Sequence, residues 1–142
     1  MTDGCHEALW WRCEQERIRC LLCPHCCLLE AGETGKCRAR KHERGRGLVT
    51  LNYGKISSAA VDPIEKKPLY HWNPGTSILS LGTVGCSMDC PFCQNWRIAG
   101  WDPALSLASM EPEDVVRSAE KTESRSVAFT YNEPFVWFEF LL

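Results

Sequence analysis

The sequence predicts an α/β protein whose second half begins a parallel sheet and whose first half is a small cysteine-rich region. Strand-like and helix-like segments alternate after residue 76, and seven of the ten cysteines lie in the first 37 residues. Apolar residues make up 44% of the 142 residues and charged residues 24%, which is enough apolar material for a buried core. We therefore expect a metal-binding region at 1–75 and the start of a second domain at 76–142.

The charge balance excludes two classes of partner. Sixteen basic residues against eighteen acidic ones give a net charge of -2, so there is no basic excess for a nucleic-acid backbone or an anionic membrane. The first twenty residues carry charges instead of the apolar stretch of a signal peptide. We expect a cytoplasmic protein without nucleic-acid or membrane partners, in which close-set cysteines bind metal or perform redox chemistry.

The first half combines loops with a predicted β-hairpin. Glycine and proline interrupt the segment from Cys20 to Cys37, so it is expected to form loops. The runs 47–52 and 55–59 flank Tyr53-Gly54 and predict two short strands joined by a turn. Residues 62–75 contain three prolines, which favours an extended connection.

The second half predicts strand, helix, strand and the start of a second helix. Ser77 to Leu81 is a strand-like run, and a helix is expected from Pro112 to Lys121 because proline suits the first helical position and acidic residues follow it. Ser126 to Thr130 predicts the next strand, and Pro134 opens a second helix. At roughly 30 residues per unit these residues hold two βα units. Two parallel strands do not complete a sheet, so we expect the chain to be the amino-terminal part of a longer protein or a protomer that completes its sheet elsewhere.

Three cysteines lie within eight residues at Cys86, Cys90 and Cys93. Thiolates are ligands for zinc and for iron-sulfur clusters. A structural zinc needs four ligands, yet no cysteine or histidine follows Cys93, and the nearest upstream histidine is His71. Three thiolates on a cube of four irons leave one iron open, so the ligand count predicts a 4Fe-4S cluster with an open iron.

The spacing C-x3-C-x2-C, with the aromatic Phe92 before the last cysteine, resembles the signature of radical S-adenosylmethionine enzymes. The resemblance implies that Cys86, Cys90 and Cys93 hold the 4Fe-4S cluster and that the open iron binds S-adenosylmethionine. Reductive cleavage then yields a 5'-deoxyadenosyl radical that abstracts hydrogen. The implied fold is the first part of a partial (β/α)6 radical S-adenosylmethionine barrel, with the cysteine loop after its first strand.

The same resemblance implies residues that contact the cofactor. The family carries a Gly-Gly-Glu-Pro-like turn after its second strand, and here Asn132-Glu133-Pro134 stands in that place. Glu133 supplies an acceptor for the cofactor's ammonium group and Asn132 an amide beside it. Phe92, Asn132 and Glu133 are the expected cofactor-binding residues. The alternative for Glu133 is a position in the first turn of a helix.

Further blocks are similar to the radical enzyme of the AmmeMemoRadiSam system, a relative of pyruvate formate-lyase activating enzymes. They include Asp62-Pro63-Ile64-Glu65-Lys66-Lys67-Pro68, Cys93-Gln94-Asn95-Trp96 and Tyr131-Asn132-Glu133-Pro134. This similarity implies an activase-like enzyme that receives electrons from a reduced flavodoxin or a ferredoxin-type donor. The substrate stays open and includes proteins, and the truncated chain alone is expected to lack activity.

Four further cysteines have the spacing of metal knuckles: Cys20, Cys23, Cys27 and Cys37. They are consistent with a structural zinc or an auxiliary iron-sulfur cluster. Cys26 could replace Cys27, and His25 could replace either. The alternative is a set of reduced, partly buried cysteines.

Two rival functions make different predictions. An iron-sulfur electron-transfer protein requires a fourth thiolate on every cluster and no effect of S-adenosylmethionine on the cluster's spectrum. A zinc-ribbon-like interaction module requires zinc without iron or sulfide.

Overall fold

Short strands make up most of the regular structure, because glycine, proline and cysteine interrupt the chain every few residues. The computed structural model describes residues 5–102 and 104–142. The strands of this part are β1 His6–Glu7, β2 Trp11–Glu14, β3 Arg17–Cys20, β4 Leu28–Leu29, β5 Arg40–Glu43, β6 Gly47–Thr50, β7 Lys55–Ile56, β8 Ser58–Pro63, β9 Ser77–Gly82, β10 Ala108–Ser109 and β11 Ser126–Phe129. The helices are α1 Trp96–Ala99, α2 Pro112–Lys121 and α3 Phe138–Leu141, with 3-10 turns at Ile64–Lys66 and Pro134–Trp137.

A mixed sheet of three strands, in the order β11-β9-β8, carries the βαβ unit that the sequence predicts. Strand β9 is almost entirely buried, as expected for a continuous apolar run. Strand β11 pairs with it in parallel, with Ser126 opposite Ile78. Helix α2 connects the two strands; it has proline in its first turn, a capping box between Glu111 and Asp114, and a buried face.

The expected α/β class is wrong, and so is the expected partial (β/α)6 barrel. The described residues form four small sheets, and β9 with β11 is the one parallel pair among them; all the others are antiparallel. Strand β8 pairs antiparallel with the other edge of β9, from Ser58 opposite Gly82 to Pro63 opposite Ser77. Within the described strands β9 has one parallel neighbour, and its other edge is taken by the antiparallel β8, whose end falls in the predicted extended connection at 62–75.

The expected hairpin around Tyr53-Gly54 is also wrong. Strand β6 pairs instead with β5, the strand before it, and with β1, while β7 pairs with β10. The hairpin that does form turns at Gly45, whose φ of 80° lies in the left-handed region that glycine adopts without strain.

Residues 5–30 contain more strand than their sequence predicts. Strands β2, β3 and β4 form an antiparallel sheet in which Ile18 pairs with both Cys13 and Leu29. Ile18, Cys20 and Leu29 are buried in one hydrophobic cluster with Ala8 and Leu48. Cys20 is therefore part of a core as well as a candidate ligand.

The main core lies between the mixed sheet and the helices around it. It contains Ile56, Leu79, Leu81, Val115, Ala119, Trp137 and Phe140. An ion pair between Arg40 of β5 and Glu139 of α3 ties the amino-terminal sheets to α3. The pair is buried, because both side chains are almost completely inaccessible to solvent. The division at residue 75 stays a prediction.

In the described ranges, no helix combines the length and the apolar character needed to cross a bilayer.

Candidate functional site

The loop that carries the three cysteines leaves the carboxyl end of β9 through Gly85. The φ of Gly85 is 85°, and a Cβ placed there would lie 2.6 Å from the Cys37 carbonyl oxygen and 2.8 Å from the Ala39 Cβ. Both the left-handed backbone and the close approach require glycine. The next amide, that of Cys86, donates to the Cys37 carbonyl at 3.1 Å. The loop is thus held against the amino-terminal region.

Cys86, Cys90 and Cys93 line one cavity of about 420 Å³, and all three are half-buried. Other lining residues include Lys36, Arg38, Asp89 and Trp96. The loop turns back on itself where the Cys93 amide donates to the Cys90 carbonyl at 3.1 Å. The structure therefore brings the three predicted ligands to a single open space.

The turn that follows β11 lies directly beside this loop. The Asn132 side-chain amide donates to the Gly85 carbonyl at 2.6 Å, and the Glu133 backbone amide donates to the Cys86 Sγ at 3.4 Å. Asn95 donates from its side chain to the Tyr131 carbonyl at 2.9 Å. Because β9 and β11 are parallel neighbours, their carboxyl ends meet at one edge of the sheet. Asn132 and Glu133 are therefore brought to the cysteine loop, 47 residues away in sequence.

The Glu133 carboxylate caps the 3-10 turn that follows it, accepting from the Phe135 backbone amide at 3.3 Å. The capping role that the sequence offered as the alternative is therefore present. In residues 5–102 and 104–142 no lysine, arginine or histidine forms an ion pair with this carboxylate. It has lone pairs available for a further donor.

Phe92 does not line the cavity, and its side chain is 86% exposed. Asn132 and Glu133 do not line it either; they contact the cysteine loop through the hydrogen bonds to Gly85 and Cys86. Arg38 and Lys36 do line the cavity, although the sequence analysis gave them no role. Their position next to Cys37 in the sequence was the signal that could have indicated them.

The amino-terminal cysteines surround a second, much smaller cavity. Cys20, Cys23, Cys27 and Cys37 all line a space of about 20 Å³, closed by Leu22, Gly35, Arg40, Phe135 and Val136. Burial raises the pKa of the Cys37 thiol above its ordinary value, and burial likewise raises that of Cys23. The four predicted ligands are thus together, with their thiols in a largely apolar setting.

Cys26 and His25, the two alternatives to Cys27, are placed elsewhere. Cys26 is exposed, and its thiol lies 3.6 Å from the Cys23 carbonyl oxygen. His25 donates from Nε2 to the Ser87 carbonyl at 2.7 Å, which ties the first cysteine loop to the second. Cys27 faces inward, because its Sγ lies 3.7 Å from the position of a Cβ on Gly35, as does the Sγ of Cys37.

Within the described part of the chain, no group of three or more His, Cys, Asp or Glu side chains has its donor atoms already gathered around a point where a metal ion would sit. A zinc ion with four thiolates requires Zn–S distances of about 2.3 Å. In neither cavity do the thiols already surround a single ion.

The chain is similar to an uncharacterized protein of Methanocaldococcus jannaschii. The two are 39% identical over 137 residues, which cover 95% of this chain and 41% of the relative. The chain therefore spans about two fifths of the length of that protein. No family model matches the chain, and no solved structure matches it.

Proposed function

We propose that Cys86, Cys90 and Cys93 hold a 4Fe-4S cluster whose open iron binds S-adenosylmethionine, and that the protein is a radical S-adenosylmethionine enzyme. The observation that carries this proposal is the convergence of three thiols from one loop on a single cavity, with the Glu133 turn hydrogen-bonded to the first of them. The donor chemistry fits, since thiolates are the usual ligands of iron-sulfur clusters.

The size of the cavity supports a cluster with a bound ligand. Its volume of about 420 Å³ lies in the range of roughly 300–1,000 Å³ that is typical of ligand sites. In a cluster each thiolate binds a different iron, so the three sulfurs stand farther apart than they would around one ion.

In this proposal the chain's own residues position the cofactor and neutralise the charge of the cluster. The Asn132 side-chain amide donates to the Gly85 carbonyl, so its proposed role is to hold the two loops together instead of binding the cofactor directly. Glu133 has a carboxylate that can accept hydrogen bonds from the ammonium group of S-adenosylmethionine. Arg38 and Lys36 supply positive charge on the wall of the cavity, which offsets the negative charge of a thiolate-bound cluster. When bound, the cluster supplies the electron that cleaves the sulfonium to a 5'-deoxyadenosyl radical.

The wider biochemical role follows as part of the same proposal. A cytoplasmic location and a flavodoxin or ferredoxin-type electron donor suit the chemistry, because a low-potential electron must reach the cluster. The substrate, whether a protein or a smaller molecule, stays open, because this chain spans 41% of the length of its relative and that relative is uncharacterized.

Iron and sulfide analysis tests the cluster. After anaerobic reconstitution we expect about four irons and four sulfides bound at the 86–93 loop. Cys90→Ala should lose them, whereas Cys13→Ala, which removes an exposed thiol in β2, should keep them. Equal iron in the two variants, or a colourless and iron-free wild type, contradicts the proposal.

A further inference from the structure

The small cavity among the amino-terminal cysteines has the size of one ion. Its volume of about 20 Å³ compares with the roughly 10–15 Å³ that one water molecule needs. We infer that Cys20, Cys23, Cys27 and Cys37 bind a single zinc ion in tetrahedral coordination. This inference goes beyond the proposed function, because it concerns different thiols and a metal that does not take part in electron transfer.

The cavity volume favours zinc over an auxiliary iron-sulfur cluster. A 4Fe-4S cube contains eight atoms and needs a space like the one at the second loop, where the volume is about 420 Å³. Four thiols around a space for one ion match the closed tetrahedral sites of structural zinc. Cys27, not Cys26, is the third ligand, because Cys26 is exposed.

A buried guanidinium donates a hydrogen bond to one of the four thiols. Arg40 is 1% exposed, and its Nη1 donates to the Cys20 Sγ at 3.6 Å. Its Nη2 donates to the Leu9 carbonyl at 2.7 Å and to Glu139. The charge of Arg40 is already paired with Glu139, so what it contributes to the thiolate site is a hydrogen bond from a buried and fixed donor.

The proposed zinc site adjoins the cysteine loop of the larger cavity. The Cys37 carbonyl accepts a hydrogen bond from the Cys86 amide, and the Cys37 side chain packs with Ala39 and Val136 in one buried cluster. Val136 belongs to the 3-10 turn that Glu133 begins. Zinc bound to Cys37 therefore fixes the backbone from which both Cys86 and Glu133 are presented.

Metal analysis of the whole chain tests the inference. The triple variant Cys86→Ala, Cys90→Ala, Cys93→Ala, purified from zinc-supplemented medium, should contain about one zinc per chain and no acid-labile sulfide. In this background Cys27→Ser should lose most of the zinc, and the neighbouring Cys26→Ser should retain it. Because the triple variant cannot form the proposed cluster, this result does not depend on the proposed function.

A measurement on the wild-type chain covers the case in which Cys27→Ser does not fold. Co(II) in place of zinc should give the intense visible bands of tetrahedral thiolate coordination. Alkylation with iodoacetamide, followed by peptide mapping, should then show zinc-dependent protection of Cys20, Cys23, Cys27 and Cys37 but not of Cys13. Iron with sulfide in the triple variant, absence of metal, or equal loss of zinc from Cys26→Ser would overturn the assignment.

Discussion

Replacing Gly85 with alanine should displace the cysteine loop from the amino-terminal region. The left-handed φ of 85° costs an alanine roughly 1–2 kcal/mol. The added Cβ would also lie 2.6 Å from the Cys37 carbonyl oxygen and 2.8 Å from the Ala39 Cβ, and overpacking of this kind costs about 1–3 kcal/mol. A backbone shift that relieves the contact breaks the hydrogen bond from Cys86 to Cys37, which is worth roughly 1 kcal/mol.

Gly45→Ala is the matched control. Its φ is 80° and nothing lies within 4 Å of the added Cβ, so it carries the conformational cost without the contact. In urea unfolding followed by tryptophan fluorescence, we expect Gly85→Ala to be less stable than Gly45→Ala by roughly 2–4 kcal/mol. Reconstituted iron should fall in Gly85→Ala alone. Equal stabilities for the two variants would refute the argument that this glycine holds the loops together.

Two further predictions concern the sheet that carries the loop. Leu81→Ala should lower the free energy of unfolding by about 2–5 kcal/mol, because Leu81 is completely buried in the main core. The control Val116→Ala, on the exposed face of α2, should change this free energy by less than about 1 kcal/mol. Similar losses in the two variants would contradict the core assignment. Asp62 has a pKa below its ordinary value, mainly because Lys66 donates a hydrogen bond to it. The stability that this carboxylate contributes is therefore fully present above the unfolded pKa of about 3.9. It is lost as the pH falls through the lower pKa of the folded state. Urea unfolding of wild type and Asp62→Asn between pH 6 and pH 3 should therefore show a wild-type advantage that shrinks at the acidic end, and an advantage independent of pH would count against this ion pair.

Local signals in the second half of the sequence predicted its elements well. The helix at Pro112–Lys121 has the expected bounds, because proline and the acidic first turn define its start. The strands at 77–82 and 126–129 match their runs of apolar residues, and their parallel pairing follows from the helix between them. The positions of Asn132 and Glu133 beside Cys86 depend on that pairing.

The arrangement of the sheets could not be predicted in the same way. Periodicity identifies a strand but not its partner, so nothing in the sequence of β8 indicated that it would occupy the second edge of β9. The amino-terminal strands are two to four residues long and carry charges, as in Arg17–Cys20. Cysteine fills some of their inward positions. Its spacing indicates a metal ligand, although Cys20 is also buried as an apolar residue, so the strand pattern is hidden.

The sequence spacing singled out four cysteines that line one cavity, and it left open whether they hold zinc or a cluster. The spacing brought out the four residues and left Cys26 and His25 as alternatives, because spacing does not show which way a side chain faces. Backbone conformation decides this at Cys26, whose φ of 42° accompanies an exposed side chain. The size of the space among the four cysteines, about 20 Å³, exists only in the folded chain.

Electron paramagnetic resonance of the reduced, reconstituted protein tests the central proposal most directly. Adding S-adenosylmethionine should change the g values of the reduced cluster in the wild type, because the cofactor binds to the open iron. The effect should weaken in Glu133→Gln, in which the carboxylate that accepts the ammonium group is lost. A spectrum unchanged by S-adenosylmethionine, from a cluster with a fourth protein ligand, would contradict the proposed function and favour an electron-transfer protein.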